Sequence, residues 1–350
     1  MAAVPSSHHS SPNSAAHAPY TTDGPLGPVT ISPHMKAPPP PSLGPIESRR
    51  VQLRSDLHSI YLGDSRSILP LIGWVRHERT NVCVRAEDAT TYEHLFEEYH
   101  KHPEDSEPPS LPDPVIFTAI VRLADDRFFL QSDANYTGKG LYTATFADAK
   151  MTALVDAPNS LDKDFSIVLS NLDAIVRARK TRGFQAVKGL FDAGSGHRMV
   201  KVRHVLFTPR ADVDPDTENF IPPEFTIAEW PVNPKHTEAV QELATMVETH
   251  VVNYLPAYNT QGHLINPSDY ERQLRGAVVA LRFTLAHWSI RGRAQVPPSD
   301  SFVADIDEIS VVEEPSDLVV AGAKRKRRAF KASDPFYPSK RLCKLSNESN

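Results

Sequence analysis

Between residues 198 and 207 the chain alternates strictly, with Val200, Val202, His204 and Leu206 set against Lys201 and Arg203. A period of two is that of a strand with one buried face. The same period recurs at 277–290, where Val279, Leu281, Phe283 and Leu285 alternate with Arg282 and Thr284, and again at about 301–312. Residues 115–123 are almost continuously apolar and read as a buried strand; Asp125-Asp126 supplies a turn, and Arg127 to Leu130 the returning partner of a hairpin. A short β-leaning run spans Asn81 to Arg85, and Gly194-Ser195-Gly196 suggests a turn joining 184–191 to 198–207.

Helical spacing appears at two places. Over 88–101, Tyr92, Leu95, Phe96 and Tyr99 share a face opposite Glu93, Glu97 and Glu98, with Asp88 as N-cap. Over 235–253, Val240, Leu243, Val247, Val251 and Tyr254 form a stripe after Asn233-Pro234, and proline suits a first helical turn. Two helices and seven to nine strands that do not alternate regularly predict an α+β, β-rich core. Its sheet is mixed or antiparallel, and a barrel-like closure stays open.

Composition divides the chain in three. Residues 1–47 hold 11 prolines, including Pro38 to Pro41, among Ser, His and Ala, which predicts a disordered arm. Residues 48–312 form the globular core, with a subdivision near 230 left open. Residues 313–350 lack periodicity and read as a disordered basic tail. The core carries 28 Lys and Arg against 36 Asp and Glu, a net of −8, whereas from residue 318 onward nine basic residues face two acids. An acidic body argues against generic binding to polyanions.

The tail holds Lys324-Arg325-Lys326-Arg327-Arg328, then a spacer, then Lys340, Arg341 and Lys344. Two basic clusters on an extended chain match a bipartite nuclear localisation signal, whose side chains enter acidic grooves on an import receptor. Nothing in the chain argues for export: it has no apolar run of about 18 residues, and Met1 to Ser11 lacks the basic-then-apolar order of a leader. Two cysteines, Cys83 and Cys343, make no disulfide framework. The expectation is an intracellular, nuclear protein without a membrane span.

A second charged feature lies inside the core. Residues 177–210 contain Arg177, Arg179, Lys180, Arg182, Lys188, Arg198, Lys201, Arg203 and Arg210, with Asp192 the only acid, a net of +8. Phe184, Phe191 and Phe207 are interleaved. Such a hairpin suits a phosphate backbone with bases stacked on rings. The alternative is that these cations pair with acids of the same core.

Other chemistry finds little support. Gly194-Ser195-Gly196 and Gly138-Lys139-Gly140 lack the residues of a phosphate-cradling loop. Of the histidines, His94, His100 and His102 do not converge on one face, His287 reads as a hydrogen-bonded core residue, and no Cys pair has metal-ligand spacing. Cys83 sits in an apolar strand as a small hydrophobe. Asp305, Asp307 and Glu308 are the one carboxylate cluster, a basis for an enzyme of unknown class if they held a divalent ion. No catalytic residue, metal or cofactor is assigned.

Residues 254–312 resemble an uncharacterised group of proteins numerous in mushroom-forming fungi, on the strength of Pro267, Tyr270, Phe283, Thr284, Leu285, His287 and Trp288. The resemblance implies a fungal origin and no activity. The strand pair is also similar to part of an oligonucleotide-binding five-stranded barrel. Together these features lead us to expect a nuclear, non-enzymatic binding protein whose partners are an import receptor and either DNA or RNA or another nuclear protein.

Overall fold

The computed structural model describes residues 43–104, 107–138, 145–192, 197–213, 221–293 and 296–316. Most of the predicted arm, the basic tail from residue 317 and the Gly194-Ser195-Gly196 turn lie outside these residues. Helix α1 (Pro45–Ser55) and strand β1 (Ser59–Tyr61) lead into a hairpin of β2 (Ile72–His77) and β3 (Thr80–Arg85), then α2 (Ala86–Lys101). Strands β4 (Ile116–Leu123) and β5 (Lys150–Asp156) precede α3 (Asp162–Arg179). Next come β6 (Ala186–Lys188), β7 (Phe191–Asp192), β8 (Met199–Val205) and β9 (Phe207–Pro209). Helix α4 (Thr237–Met246), β10 (His250–Val252), β11 (Ala257–Tyr258), α5 (Tyr270–Leu274), β12 (Val278–Ile290) and β13 (Ser299–Glu313) complete the fold. It is a mixed α+β structure around one 11-stranded sheet, with β9 and β10 paired separately.

Five strands of the sheet form a circuit. β4 pairs antiparallel with β5, β5 with β8, β13 with β12, and β12 again with β4, while β8 and β13 run parallel. The circuit is loose at two seams: β4–β5 and β8–β13 each share only two residue positions. The barrel is therefore incomplete. Its inward positions are Phe117, Met151, Val202, Phe283 and Phe302, all at most 2% exposed. Each such side chain contributes about 1.5–3 kcal/mol through burial. Helix α3 packs Phe165, Val168, Leu172 and Ile175 into the same core. The β2–β3 hairpin extends the sheet beyond β12, with Asn81 beside His287.

Three details differ from the expectation. Residues 127–130 form no strand; only the Phe129 N–H reaches across, to Thr152 O. The second helix stops at Met246, because His250–Val252 pairs with Phe207–Pro209. Helix α2 starts before Asp88, at Ala86, with Arg85 as the capping residue. Helices α1, α3 and the short α5 stand in addition to the two that the periodicity predicts.

Candidate nucleic-acid interface

Strand β8 sends Val200, Val202 and His204 inward and leaves Lys201 exposed and Arg203 half-buried on the outer side. Strand register carries that outer face across the barrel. Arg203 lies opposite Thr152 of β5 and beside Asp305 of β13, which in turn lies opposite Thr284 of β12. Further along, Val303 lies opposite Ala286, and then Lys188 of β6 lies beside Ser301, which faces Trp288. The result is a shallow platform with Trp288 and Val303 in its middle and lysines at its margin. Helix α1 covers the other end of this outer face, where Leu53 packs on Tyr61, Ile120 and Ala280.

Gly189 lets β6 lie this close. Its φ is +94°, and a Cβ there would sit 2.4 Å from Phe302 O. Only glycine supplies both the left-handed backbone and the close approach.

Charge on the platform is unevenly neutralised. Arg203 holds Asp305 through two bonds of 2.5 and 3.1 Å, and its guanidinium lies 5.4 Å from the Trp288 ring centre. Lys188 and Lys201 are exposed and form no ion pair among the described residues. Lys150, also exposed, continues the row on β5 opposite Val205.

The expected antiparallel pairing is present but short, between β7 and β8, and the remaining cations of 177–210 are not gathered on it. Helix α3 takes up Arg177 and Arg179. Arg177 donates to the Asp173 carbonyl, and Lys180 to Gln185 O at 3.3 Å. Arg182 is exposed. Arg198 grips Asp173 with both terminal nitrogens and lies 3.6 Å above the Phe191 ring. Arg210 donates to Val247 O. Of the interleaved rings, Phe207 is buried and Phe184 and Phe191 are half-buried. The localisation cluster Lys324, Arg325, Lys326, Arg327, Arg328, Lys340, Arg341 and Lys344 falls outside the described residues.

The carboxylate cluster is also dispersed. Strand β13 is central, and Asp305 faces Arg203 while Asp307 faces Arg282 at 3.4 Å. No group of three His, Cys, Asp or Glu among the described residues is placed to hold a metal ion.

Arg179 belongs to a buried polar chain. It donates to Asn81 Oδ1, and Asn81 Nδ2 lies 3.3 Å from His287 Nδ1. His287 Nε2 lies 2.8 Å from Asp300 Oδ1, and Thr181 donates to Asp300 through both its N–H and its hydroxyl. With Asn81 donating to Nδ1, the imidazole proton sits on Nε2, and every step runs from donor to acceptor. His287 and Asp300 are both fully buried. Burial holds His287 below the usual imidazole pKa. For Asp300, burial acts to raise the pKa, but donation from Thr181 and His287 outweighs it and keeps the carboxyl below its usual range.

Lys188, Lys201 and Arg203 were legible as candidates in the sequence, whereas Lys150, Thr152 and the use of Trp288 were not. The alternation that exposes them is local; the register that makes them neighbours is not. No family model matches the chain, and no curated protein matches it. Among solved structures it is similar to gp2.5, a single-stranded DNA-binding protein encoded by bacteriophage T7, at 12% identity and a TM-score of 0.35 over 64% of this chain and 98% of that one.

Proposed function

We propose that this is a nuclear, non-enzymatic nucleic-acid-binding protein that contacts its ligand through the outer platform of the barrel and through its basic tail. The observation that carries the reading is the pairing of unneutralised Lys188 and Lys201 with the Trp288 ring on one sheet face. Phosphates suit the lysines at the margin, and bases suit the ring and the small side chains Thr284 and Ala286. Incomplete five-stranded barrels are one architecture on which oligonucleotide sites occur, a fold-level analogy that by itself assigns no function. The neutralised Arg198 and Arg203 favour the second reading, a protein partner, because fewer cations remain for phosphate.

The test is anisotropy of labelled single- and double-stranded oligonucleotides with the full chain over a salt series. We expect a single-strand preference and a linear log–log plot. Lys188→Ala with Lys201→Ala should lower its slope by roughly 0.7–0.9 for each phosphate that is no longer neutralised. An unchanged slope in the double variant would remove the platform from the interface. For localisation, a fluorescent fusion should concentrate in nuclei, and alanines at Lys324–Arg328 should disperse it; equal distribution of both forms would remove the nuclear assignment.

A further inference from the structure

On the side of β12 away from β13, a cleft of about 1010 Å³ opens between the β2–β3 hairpin, α2 and the ends of α3 and β12. Four of its lining residues are arginines: Arg76, Arg79, Arg179 and Arg291. None of them forms an ion pair among the described residues. That contrasts with Arg50, Arg122, Arg198, Arg203 and Arg282, each of which holds a carboxylate. In an acidic body, four guanidiniums gathered in one cleft without an ion pair, facing only Glu93 and Glu97 among its lining residues, leave cationic capacity for an anionic ligand.

Arg179 shows how the site is built. Asn81 fixes one end of the guanidinium, the Trp74 ring centre lies 5.9 Å away, and Nε is buried with no hydrogen-bond partner. A buried donor without an acceptor is costly, and guanidinium groups make their strongest hydrogen bonds to anionic oxygens. The opposite wall is aromatic. Tyr92 stacks on Phe96 with centroids 5.6 Å apart, and Phe96 is 38% exposed. Glu93 and Glu97, one turn apart on α2, also line the cleft. Carboxylates only accept hydrogen bonds. They match the amino and ring N–H donors of a base, and they repel a long run of phosphates.

We infer that this cleft is a second ligand site, distinct from the platform, that takes a single nucleoside phosphate with its base against the α2 wall and its phosphate among the arginines. The ligand is either a free nucleotide or the phosphorylated end of a strand, which present the same chemistry. The inference stands without the platform reading, since none of Lys150, Lys188, Lys201, Arg203 and Trp288 lines the cleft.

Isothermal titration calorimetry of the full chain with GMP, AMP, guanosine and inorganic phosphate tests it. We expect binding of the monophosphates, at least tenfold weaker binding of guanosine and of phosphate, and a further tenfold loss in Arg79→Ala/Arg291→Ala and in Phe96→Ala. Among the described residues Arg79 and Arg291 donate no hydrogen bond from their side chains, so these variants should keep the parent's circular dichroism. Lys188→Ala/Lys201→Ala should leave nucleotide binding unchanged, which separates failure of this site from failure of the platform. Tighter binding of a 5′-phosphorylated than of the same 5′-hydroxyl oligonucleotide, with the difference lost in Arg79→Ala/Arg291→Ala, would assign the cleft to a strand end, and no difference between the two would assign it to a free nucleotide. Absence of monophosphate binding at millimolar concentration would overturn the inference. So would phosphate binding as tightly as GMP, or nucleotide loss in the lysine variant but not in the arginine variant.

Discussion

At the scale of single residues, the buried pair of His287 and Asp300 is the sharpest stake. Asp300 accepts from His287 and twice from Thr181, so Asp300→Ala strands three donors in the core. Leaving a buried donor without its acceptor costs about 1–3 kcal/mol, and we expect a loss of at least that order in the denaturant-derived stability. Asp300→Asn, which keeps the volume and one acceptor, should lose less. The pair also sets a pH dependence. The native state refuses a proton at His287 that the unfolded chain accepts, so its contribution is full above the free imidazole value of about 6.5 and declines as pH falls below it. His204, held down by burial despite donating to Asn253 O at 2.8 Å, adds to the same decline. Asp300 adds a second, below the free carboxylate value of about 3.9. Denaturation midpoints should therefore fall between pH 7 and pH 5, and less steeply in His287→Gln; a flat profile in the parent would contradict the assignment.

At the scale of elements, close approaches decide what the site can be. Gly189→Ala forces a left-handed residue and a methyl against Phe302 O. We expect it to destabilise by more than the roughly 1–3 kcal/mol that backbone strain alone costs and to weaken oligonucleotide binding by displacing Lys188. Gly183→Ala, at φ +88° with open space around it, isolates the strain alone. If both variants unfold at the same temperature, β6 is not held as described. These elements were unequally legible in the sequence. Strands β8, β12 and β13 announce themselves because one face is buried and the other is not, and α2 because its aromatic stripe repeats at helical spacing. Helix α3 carries an equally regular set, Phe165, Val168, Leu172, Ile175 and Val176, but its end merges with a dense run of cations that suggested a hairpin. Helix α4 ends early because strand pairing with Phe207–Pro209, between residues distant in the chain, overrides local helical spacing. Register is non-local in the same way, so neither the Lys188–Ser301–Trp288 row nor the arginine cleft could be read from neighbours in the chain.

At the scale of the whole molecule, charge is divided between an acidic body of net −8 and a tail of net +7 from residue 318 onward. Binding to nucleic acid should then have two separable salt-dependent parts. Alanines at Lys324–Arg328 should weaken binding of single and double strands alike and lower the salt slope, while the platform's single-strand preference persists; loss of that preference would place it in the tail. The chain's three tryptophans happen to be distributed one to each environment. Trp230 is buried and donates to Ser132 O, Trp74 lines the arginine cleft, and Trp288 stands on the outer platform. Indole emission thus gives the molecule a built-in optical readout of each surface. Trp74→Phe leaves the platform visible against a constant buried background, and Trp288→Phe leaves the cleft, so quenching by a nucleotide and by an oligonucleotide can be assigned without attaching a dye.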